Sequence, residues 1–401
     1  MYIMICYHIN YKFRKRIVII MYRAYKFRLY PTDLQKQLIH QNFGCVRVVY
    51  NYFLASLKEN NNRYLNPYTC TDILNNHLKK DEKYYYLNNA DSCILYNSIF
   101  SLSNNLDRFN KNNFGFPRFK SRYDKNSYTT NAIYGSYKNR QYCNIEVDLV
   151  NKTIKLPKLK KVSIKGYRKL KVLEGRIKKA TISKEKNGKY YVSIMCELPE
   201  PSKIDKPNTI VGIDVGISEL LTLSDGIIYE NNKYIEKYEK RIKRLQKELS
   251  RKEKQSKNYY KCKQKLAILY SKLTNARKYY QHKITKEITD NYDIISMENL
   301  NTKNMIMNTK LSKSISDASF SEIIRQIKYK SQNKGKYMYQ VDTYYPSSQI
   351  CSRCGYQDSK YKDIQYRNYE CKICNNNLDR DFNASVNIMF EGLKQYMEGL
   401  I

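Results

Sequence analysis

Three acidic residues of the chain lie where carboxylates could act together on metal ions. Asp214 and Glu298 each end a short apolar run that predicts a β-strand, and Asp381 opens a predicted helix. If the three converge, they cannot all stay ionised unless cations neutralise them. Hard oxygen ligands select Mg²⁺ or Mn²⁺, and two such ions could activate a water and stabilise the leaving oxygen of a phosphodiester. The acids therefore predict a two-metal site for phosphodiester hydrolysis.

Four cysteines form a second candidate metal site, in the pattern Cys351-x2-Cys354-x16-Cys371-x2-Cys374. Two knuckles at this separation fit the four-cysteine zinc template, because four soft thiolates select zinc or iron–sulfur over hard cations. Closed coordination predicts a structural zinc that the segment needs in order to fold. Coincidence or redox thiols are the alternative interpretation. The seven other cysteines are expected to be single, reduced thiols: Cys6, Cys45, Cys70, Cys93, Cys143, Cys196 and Cys262.

The charge of the chain favours a polyanionic partner. Lys and Arg total 73 and Asp and Glu total 37, so the formal net charge is +36. Such an excess repels itself in a compact state, and nucleic acid would relieve that repulsion. Hydrophobic residues make up 42% of the chain, which argues against a disordered basic protein.

Other enzyme classes fit the sequence poorly. The four histidines do not stand in a catalytic context, which argues against a Ser/His/Asp hydrolase: His8, His40, His77 and His282. A Gly-Lys-Ser/Thr phosphate loop is missing, so ATP-driven function is not expected. The chain has neither a run of about 18 apolar residues nor a signal-peptide pattern, so we expect it to be cytoplasmic, with no membrane partner. Met21 opens a domain-like segment, and residues 1–20 are expected to be an extension.

The acids and cysteines must be positioned by a mixed α/β fold. Residues 206–401 alternate short strands with helices, as expected for an RNase H-like (RuvC) nuclease domain with a helical insertion at 233–286 and a zinc ribbon at 346–378. Residues 21–205 instead predict a β-domain with a helical insertion at about 32–120. The fold class is therefore α/β plus β.

Two basic segments of the first half are candidate nucleic-acid contacts. The strand-like run at 22–30 carries Lys26 and Arg28 on one face. The loop at 115–122 combines aromatic residues with Arg118 and Lys120. A solvated turn is the plainer interpretation of that loop.

Several motifs resemble those of the TnpB (OrfB) family of insertion-element proteins, which are related to type V CRISPR effectors. The motifs of the second half are Gly212-Ile213-Asp214-Val215-Gly216, Met297-Glu298-Asn299-Leu300, Pro346-Ser347-Ser348-Gln349-x-Cys351-Ser352-x-Cys354-Gly355 and Asp379-Arg380-Asp381-x-Asn383-Ala384. Those of the first half are Lys26 with Arg28, Gly44 to Arg47 with Asn51, and the loop from Gly115 to Arg122. Ser385 departs from the alanine common in the family.

The resemblance implies a Mg²⁺-dependent, RNA-guided DNA endonuclease and accessory transposase. Its guide RNA would come from the end of the element and pair with one strand of double-stranded target DNA. A wedge-like N-terminal β-barrel with its helical insertion would hold the RNA and read a short DNA motif. By the same match, Asp214, Glu298 and Asp381 are the catalytic, magnesium-binding acids and the four cysteines bind zinc, while Arg47 joins the candidate nucleic-acid contacts.

Two other functions stay open at this point. A protein-only transposase could use the same acids to join DNA strands, and it would bind element ends without RNA. A domesticated RNA-guided repressor would bind DNA without cutting it, but such proteins usually lose catalytic acids, and here all three acids are present.

Overall fold

The structure is a computed structural model. The chain divides into two compact units, and the boundary in the sequence falls between Pro199 and Glu200. Residues 1–19 of the expected extension lie outside the described part of the chain, and so does Asn301. The described residues are 20–61, 63–112, 114–137, 140–166, 173–300, 305, 307, 312–363 and 365–400.

One antiparallel sheet of seven strands organises the first unit. Its strands are β1 (Ile20–Tyr30), β2 (Asn126–Asn131), β5 (Glu146–Asp148), β6 (Thr153–Leu156), β7 (Lys160–Lys165), β8 (Arg176–Lys184) and β9 (Tyr190–Pro199). They follow the order β2-β8-β9-β1-β7-β6-β5. A separate hairpin joins β3 (Tyr134–Tyr137) to β4 (Arg140–Cys143).

The alternation of β1 places its apolar residues inside the unit. Tyr25, Phe27 and Leu29 are buried, and Lys26 and Arg28 lie on the opposite face, as predicted. The predicted Asn187-Gly188 turn joins β8 to β9, and Gly188 adopts a φ of 81°, which glycine tolerates without strain.

Three helices lie between β1 and β2 in the chain. They are α1 (Asp33–Glu59), α2 (Pro67–Asn76) and α3 (Ser92–Asn112), with 3₁₀ turns at Leu78–Lys80 and Glu82–Asn89. A capping box between Thr32 and Gln35 begins α1, since each side chain accepts from the other's backbone N–H. The apolar faces of α1 and α3 share one core with the sheet.

The second unit contains a mixed sheet of five strands. These are β10 (Ile210–Asp214), β11 (Glu219–Leu223), β12 (Ile228–Glu230), β13 (Ile294–Glu298) and β14 (Tyr337–Val341), in the order β12-β11-β10-β13-β14. The central strand β10 runs parallel to β13, which runs parallel to β14, and β11 and β12 add an antiparallel edge. The pair β15 (Asn368–Glu370) and β16 (Asn377–Asp379) belongs to the cysteine segment.

The described parts of this unit include five helices: α4 (Tyr234–Ser250), α5 (Lys257–Asn291), α6 (Ser312–Ala318), α7 (Phe320–Asn333) and α8 (Arg380–Glu398). The two predicted helices at 233–286 are α4 and α5, which pack through a small apolar cluster around Ile242, Leu269 and Leu273. The sequence also predicts a helix from about 316 to 334. The helix α7 confirms it over Phe320–Asn333, whereas residues 316–318 belong to α6. Ser319 adopts a left-handed φ of 53° and separates α6 from α7, and its hydroxyl accepts from Arg277 at 2.9 Å.

Close packing of α8 on the sheet depends on a glycine in β10. A Cβ atom at Gly212 would lie 2.0 Å from the Ser385 carbonyl oxygen and 2.4 Å from the Met389 nitrogen. A glycine beside Asp214 could make room for a metal or for a backbone, and at Gly212 the neighbour is the backbone of α8. The small, buried Ser385 lies at this contact in place of the family's alanine.

Gly212→Ala should destabilise the second unit by about 3 kcal/mol or more, because helix backbone cannot move aside as a side chain can. The measurement is chemical denaturation of the purified variant. Gly44→Ala is the matched control, since a Cβ there meets nothing within 4 Å and alanine favours the interior of α1. Equal stability of Gly212→Ala and the unaltered protein would contradict the packing.

Candidate functional sites

The parallel pairing of β10 and β13 places two of the acids side by side. Gly212 pairs with Ser296 and Ile213 with Met297, so Asp214 and Glu298 follow at the carboxyl ends of neighbouring strands. Adjacent strands lie about 4.8 Å apart, and residues in register point to the same face. Both side chains keep part of their surface exposed, as expected at the edge of a sheet.

The third acid arrives on α8. The carboxylate of Asp379 caps this helix by accepting from the N–H groups of Asp381 at 2.9 Å and Phe382 at 3.0 Å. Because α8 packs on β10 at Gly212, its first turn brings Asp381 to the edge where β10 and β13 end. The structure thus brings the three predicted acids into one site.

Burial and neighbouring like charges raise the pKa of two of the three acids. Burial raises the pKa of Asp214 well above its usual range, and the charges of Glu298 and Asp381 raise it further. Burial also raises the pKa of Glu298, against a hydrogen bond that Ser347 Oγ donates to its Oε1 at 2.8 Å. The site therefore disfavours three ionised carboxylates and would gain from a bound cation.

Two arginines that the sequence analysis did not single out supply positive charge. Arg380 donates to Asp381 Oδ1 at 3.1 Å through Nη2 and at 3.3 Å through Nε, and its charge opposes the rise in the pKa of Asp214 and Glu298. Arg367 lies 3.4 Å from Asp381 Oδ2 and donates to Ser218 Oγ at 3.0 Å. The sequence feature that could have identified Arg380 as part of the site is its position between two acids, Asp379 and Asp381.

The donor set at this edge fits a hard divalent cation. Its groups are carboxylates, the ligands that Mg²⁺ takes in proteins, and burial disfavours the ionised forms of Asp214 and Glu298 when no cation is bound. Within the described residues, however, the cysteines are the one group of three or more His, Cys, Asp or Glu side chains whose ligand atoms all lie within 4.8 Å of one another. The acids are thus spread more widely than the cysteines.

The four cysteines converge as the sequence predicts. The Cys351 and Cys374 sulfurs lie 3.6 Å apart and those of Cys354 and Cys371 3.5 Å apart. Tetrahedral zinc with bonds of about 2.3 Å separates sulfurs by about 3.8 Å, whereas a disulfide requires about 2.05 Å. The set therefore has the dimensions of a zinc site rather than of a cystine.

Backbone geometry prepares the two knuckles in the same way. The N–H of Gly355 donates to the Cys351 carbonyl at 2.9 Å, and that of Asn375 donates to the Cys371 carbonyl at 3.0 Å. N–H groups led by that of Cys374 lower the pKa of the Cys371 thiol to about 6, which favours the thiolate that binds metal.

The five candidate nucleic-acid residues occupy several parts of the first unit. Lys26 pairs with Glu185 at 2.9 Å and stacks over the Tyr191 ring, and Arg28 lies over the same ring. Arg47 is half-buried on α1. Arg118 is exposed on the loop that also carries Lys120, whose side chain is half-buried. These placements leave the nucleic-acid roles of all five as predictions.

Known families and relatives resemble nearly the whole chain. Family descriptions match at residues 193–309 ("Probable transposase"), 320–388 ("Cas12f1-like, TNB domain") and 21–64 ("Helix-turn-helix domain"). A Streptomyces pristinaespiralis protein named "Putative RNA-guided DNA endonuclease" is 30% identical over 92% of this chain and 89% of its own length. The Escherichia coli K12 protein "Putative RNA-guided DNA endonuclease InsQ" is 30% identical over 92% of both chains.

The fold also resembles a solved structure. The Cas12f1 chain in a cryo-EM complex with sgRNA and target DNA matches with a TM-score of 0.53 at 14% identity, covering 92% of this chain and 99% of that one. At this identity the match supports the mixed α/β fold alone. No helix in the described ranges is both long and apolar enough to cross a membrane.

We expect the purified protein to carry about one zinc ion per chain and Cys354→Ser to lose it, because three thiolates leave the tetrahedron open. Metal analysis by mass spectrometry measures the ratio, and limited proteolysis should cut the variant within 346–378. Cys93→Ser is the matched control, a single cysteine outside the four-cysteine group. Full zinc content in Cys354→Ser would contradict the assignment.

Asp214→Asn should stabilise the protein in buffer without Mg²⁺. A carboxyl with a raised folded-state pKa costs stability as the pH rises above its usual value of about 3.9, so the advantage of the amide should be absent at acidic pH and grow with pH. Each kcal/mol corresponds to about 2–4 °C in the midpoint of thermal unfolding.

The midpoint should be recorded across pH in buffer without Mg²⁺ and then with excess Mg²⁺, which should stabilise the unaltered protein more than the variant. Asp205→Asn, at an exposed position, is the control. A variant that is less stable than the unaltered protein at every pH without Mg²⁺ would contradict the electrostatic account.

Proposed function

This chain belongs to the insertion-element family of probable transposases whose relatives are named as RNA-guided DNA endonucleases, and from that premise we propose that it is itself an RNA-guided DNA endonuclease. A guide RNA from the end of the element pairs with one strand of double-stranded DNA, and the protein cuts that DNA inside the cell. The observation that carries the proposal is the convergence of Asp214, Glu298 and Asp381 at one edge of the mixed sheet.

We propose that the three acids bind the catalytic Mg²⁺ in an RNase H-like (RuvC) domain. Substitution of Asp214 tests this proposal most directly. The acids would hold Mg²⁺ there, and the chemistry it would supply is activation of a water and stabilisation of the leaving oxygen of the phosphodiester. Glu298 is held in place by Ser347, and Asp381 by the capped first turn of α8. Arg380 offsets part of the negative charge of the site through its contact with Asp381 Oδ1.

The remaining parts have supporting roles in this proposal. The zinc held by the four cysteines stabilises the segment between β14 and α8, and so the approach to Asp381. The seven-stranded sheet of the first unit, with its helices, would be the RNA-holding domain that the resemblance implies. The charge of +36 binds phosphates, so affinity for nucleic acid should fall steeply with salt.

The alternatives differ in what they require. A strand-transferring transposase would act without RNA and would join DNA ends, whereas a repressor would not need three acids arranged for metal binding. The retained acids favour an enzyme over a repressor, and the relatives' names favour RNA guidance over a protein-only reaction.

The first test is to express the protein with its native flanking DNA, purify it and sequence the bound RNA. One species mapping to the end of the element is expected, and it supplies the guide for a cleavage assay on matched DNA in Mg²⁺. Random host RNA, or none, would contradict RNA guidance and favour the protein-only transposase.

Asp214→Ala should then slow cleavage of matched DNA by about a thousandfold or more, the equivalent of about 4 kcal/mol of transition-state stabilisation. Cleavage is followed on gels at saturating guide RNA, with and without EDTA. The exposed linker variant Asp205→Ala is the control and should cut normally. If Asp214→Ala cuts as fast as the unaltered protein, the assignment of the active site is wrong.

A further inference from the structure

A cleft in the first unit has no role in the catalytic proposal. It has a volume of about 610 Å³, opens to solvent, and is formed by the loop at 114–125 together with residues of α1 and α3. Its lining combines aromatic and cationic side chains, among them Tyr50, Arg108, Phe114, Arg118, Phe119 and Lys120. We define this feature as the loop cleft.

The loop that forms the cleft is held firmly against the helices. The side-chain amide of Asn51 makes two hydrogen bonds to the backbone of Lys120. It donates to the Lys120 carbonyl at 2.9 Å and accepts from the Lys120 N–H at 2.8 Å. Phe116 packs edge-on against Phe109 of α3 at 5.2 Å between ring centres. Asp124 closes the turn by accepting from the Ser121 N–H at 2.6 Å. The cleft is therefore built in advance and does not depend on a ligand to form.

At the base of the cleft lies a lysine in an unusual setting. Lys120 Nζ stands 3.6 Å from the centre of the Tyr50 ring, a cation–π contact, and Asn105 donates to the hydroxyl of that ring at 3.2 Å. Burial lowers the pKa of Lys120 to about 8, and the charge of Asp124 opposes that shift only in part. A buried ammonium is costly without a close anion, so an anion entering the cleft would stabilise it.

The cleft carries both features that a nucleotide requires. The lining of the cleft includes four cationic side chains and a single carboxylate, Asp124, so the cleft has a clear excess of positive charge. The cations are Arg108, Arg118, Lys120 and Lys125. Phe114 and Phe119 are 60% and 46% exposed, and flat apolar rings in such a position offer a stacking surface to a base. Lys58 Nζ lies over the Phe119 ring at 4.6 Å from its centre, so a base would stack on the opposite face of Phe119 or on Phe114. An acidic peptide would use the cations but would not require these rings.

We propose that the loop cleft binds a single nucleotide turned out of a strand, with its base stacked on Phe114 or Phe119 and its phosphate held by the cleft's cations. The proposal rests on the proposed function in one respect, that the strand is an RNA or DNA which this endonuclease holds. The chemistry is the same for a ribonucleotide and a deoxyribonucleotide, and the experiment separates the two sources.

The experiment uses the full-length protein and single strands of about 12 nucleotides, as RNA or as DNA, each with one 5-iodouracil. Irradiation joins iodouracil to a stacked aromatic ring, and mass spectrometry then identifies the residue. Crosslinks at Phe114 or Phe119 with the RNA strands only, or with the DNA strands only, identify the source. Crosslinks confined to aromatic residues outside the loop cleft would overturn the proposal.

Affinity provides the second measurement. Phe119→Ala should weaken the binding of the crosslinking strand about tenfold, because one base loses its stacking partner. Phe390→Ala is the matched control, because Phe390 is 50% exposed on α8 of the other unit. This variant should bind the strand as tightly as the unaltered protein. Lys120→Met should weaken binding as well while keeping the apolar stem over Tyr50. Unchanged affinity in both cleft variants would overturn the proposal.

Failure of this proposal and failure of the proposed function give different results. If the protein carries no element RNA and cuts no matched DNA, the proposal of RNA guidance is contradicted. Crosslinking and affinity with the single strands would still test the loop cleft. If guide-matched cleavage is normal and the strands leave Phe114 and Phe119 unlabelled, the nucleotide site falls alone.

Discussion

The contact between the backbone of α8 and Gly212 of β10 is the constraint on which the candidate active site depends. It lets a helix approach a strand more closely than any side chain would permit, and that approach brings Asp381 to the ends of β10 and β13. Asp214 and Glu298 are already adjacent through parallel pairing. A long-range contact made by a residue with no side chain therefore assembles the three carboxylates.

Once assembled, the carboxylates repel one another, and the surrounding residues limit that repulsion. Arg380 and Arg367 reach Asp381, while Ser347 donates to Glu298. Burial, together with the charges of Glu298 and Asp381, still raises the pKa of Asp214. A cation at this edge would favour the ionised carboxylates, and a ligand that binds only the folded state stabilises it.

Charge is distributed differently in the two candidate sites. The acids and their arginines concentrate opposite charges at one sheet edge, where a metal can enter and a phosphate can approach. The loop cleft has cations in excess and aromatic rings beside them, an arrangement suited to holding a strand rather than cutting it. The cysteine segment brings together four thiols that could hold a metal ion.

The local sequence determined the features that arise from short-range periodicity and spacing. The strands that carry Asp214 and Glu298, the basic face of β1, the helices α4 and α5 and the cysteine set follow from residue patterns within one element or one motif. The tertiary structure decided the rest, because the partners are distant in the chain. Gly212 meets Ser385, Ser347 meets Glu298, Lys120 lies over Tyr50, and Ser319 interrupts a helix that its own periodicity favours. Such contacts are set by how elements pack against one another, which no local pattern specifies.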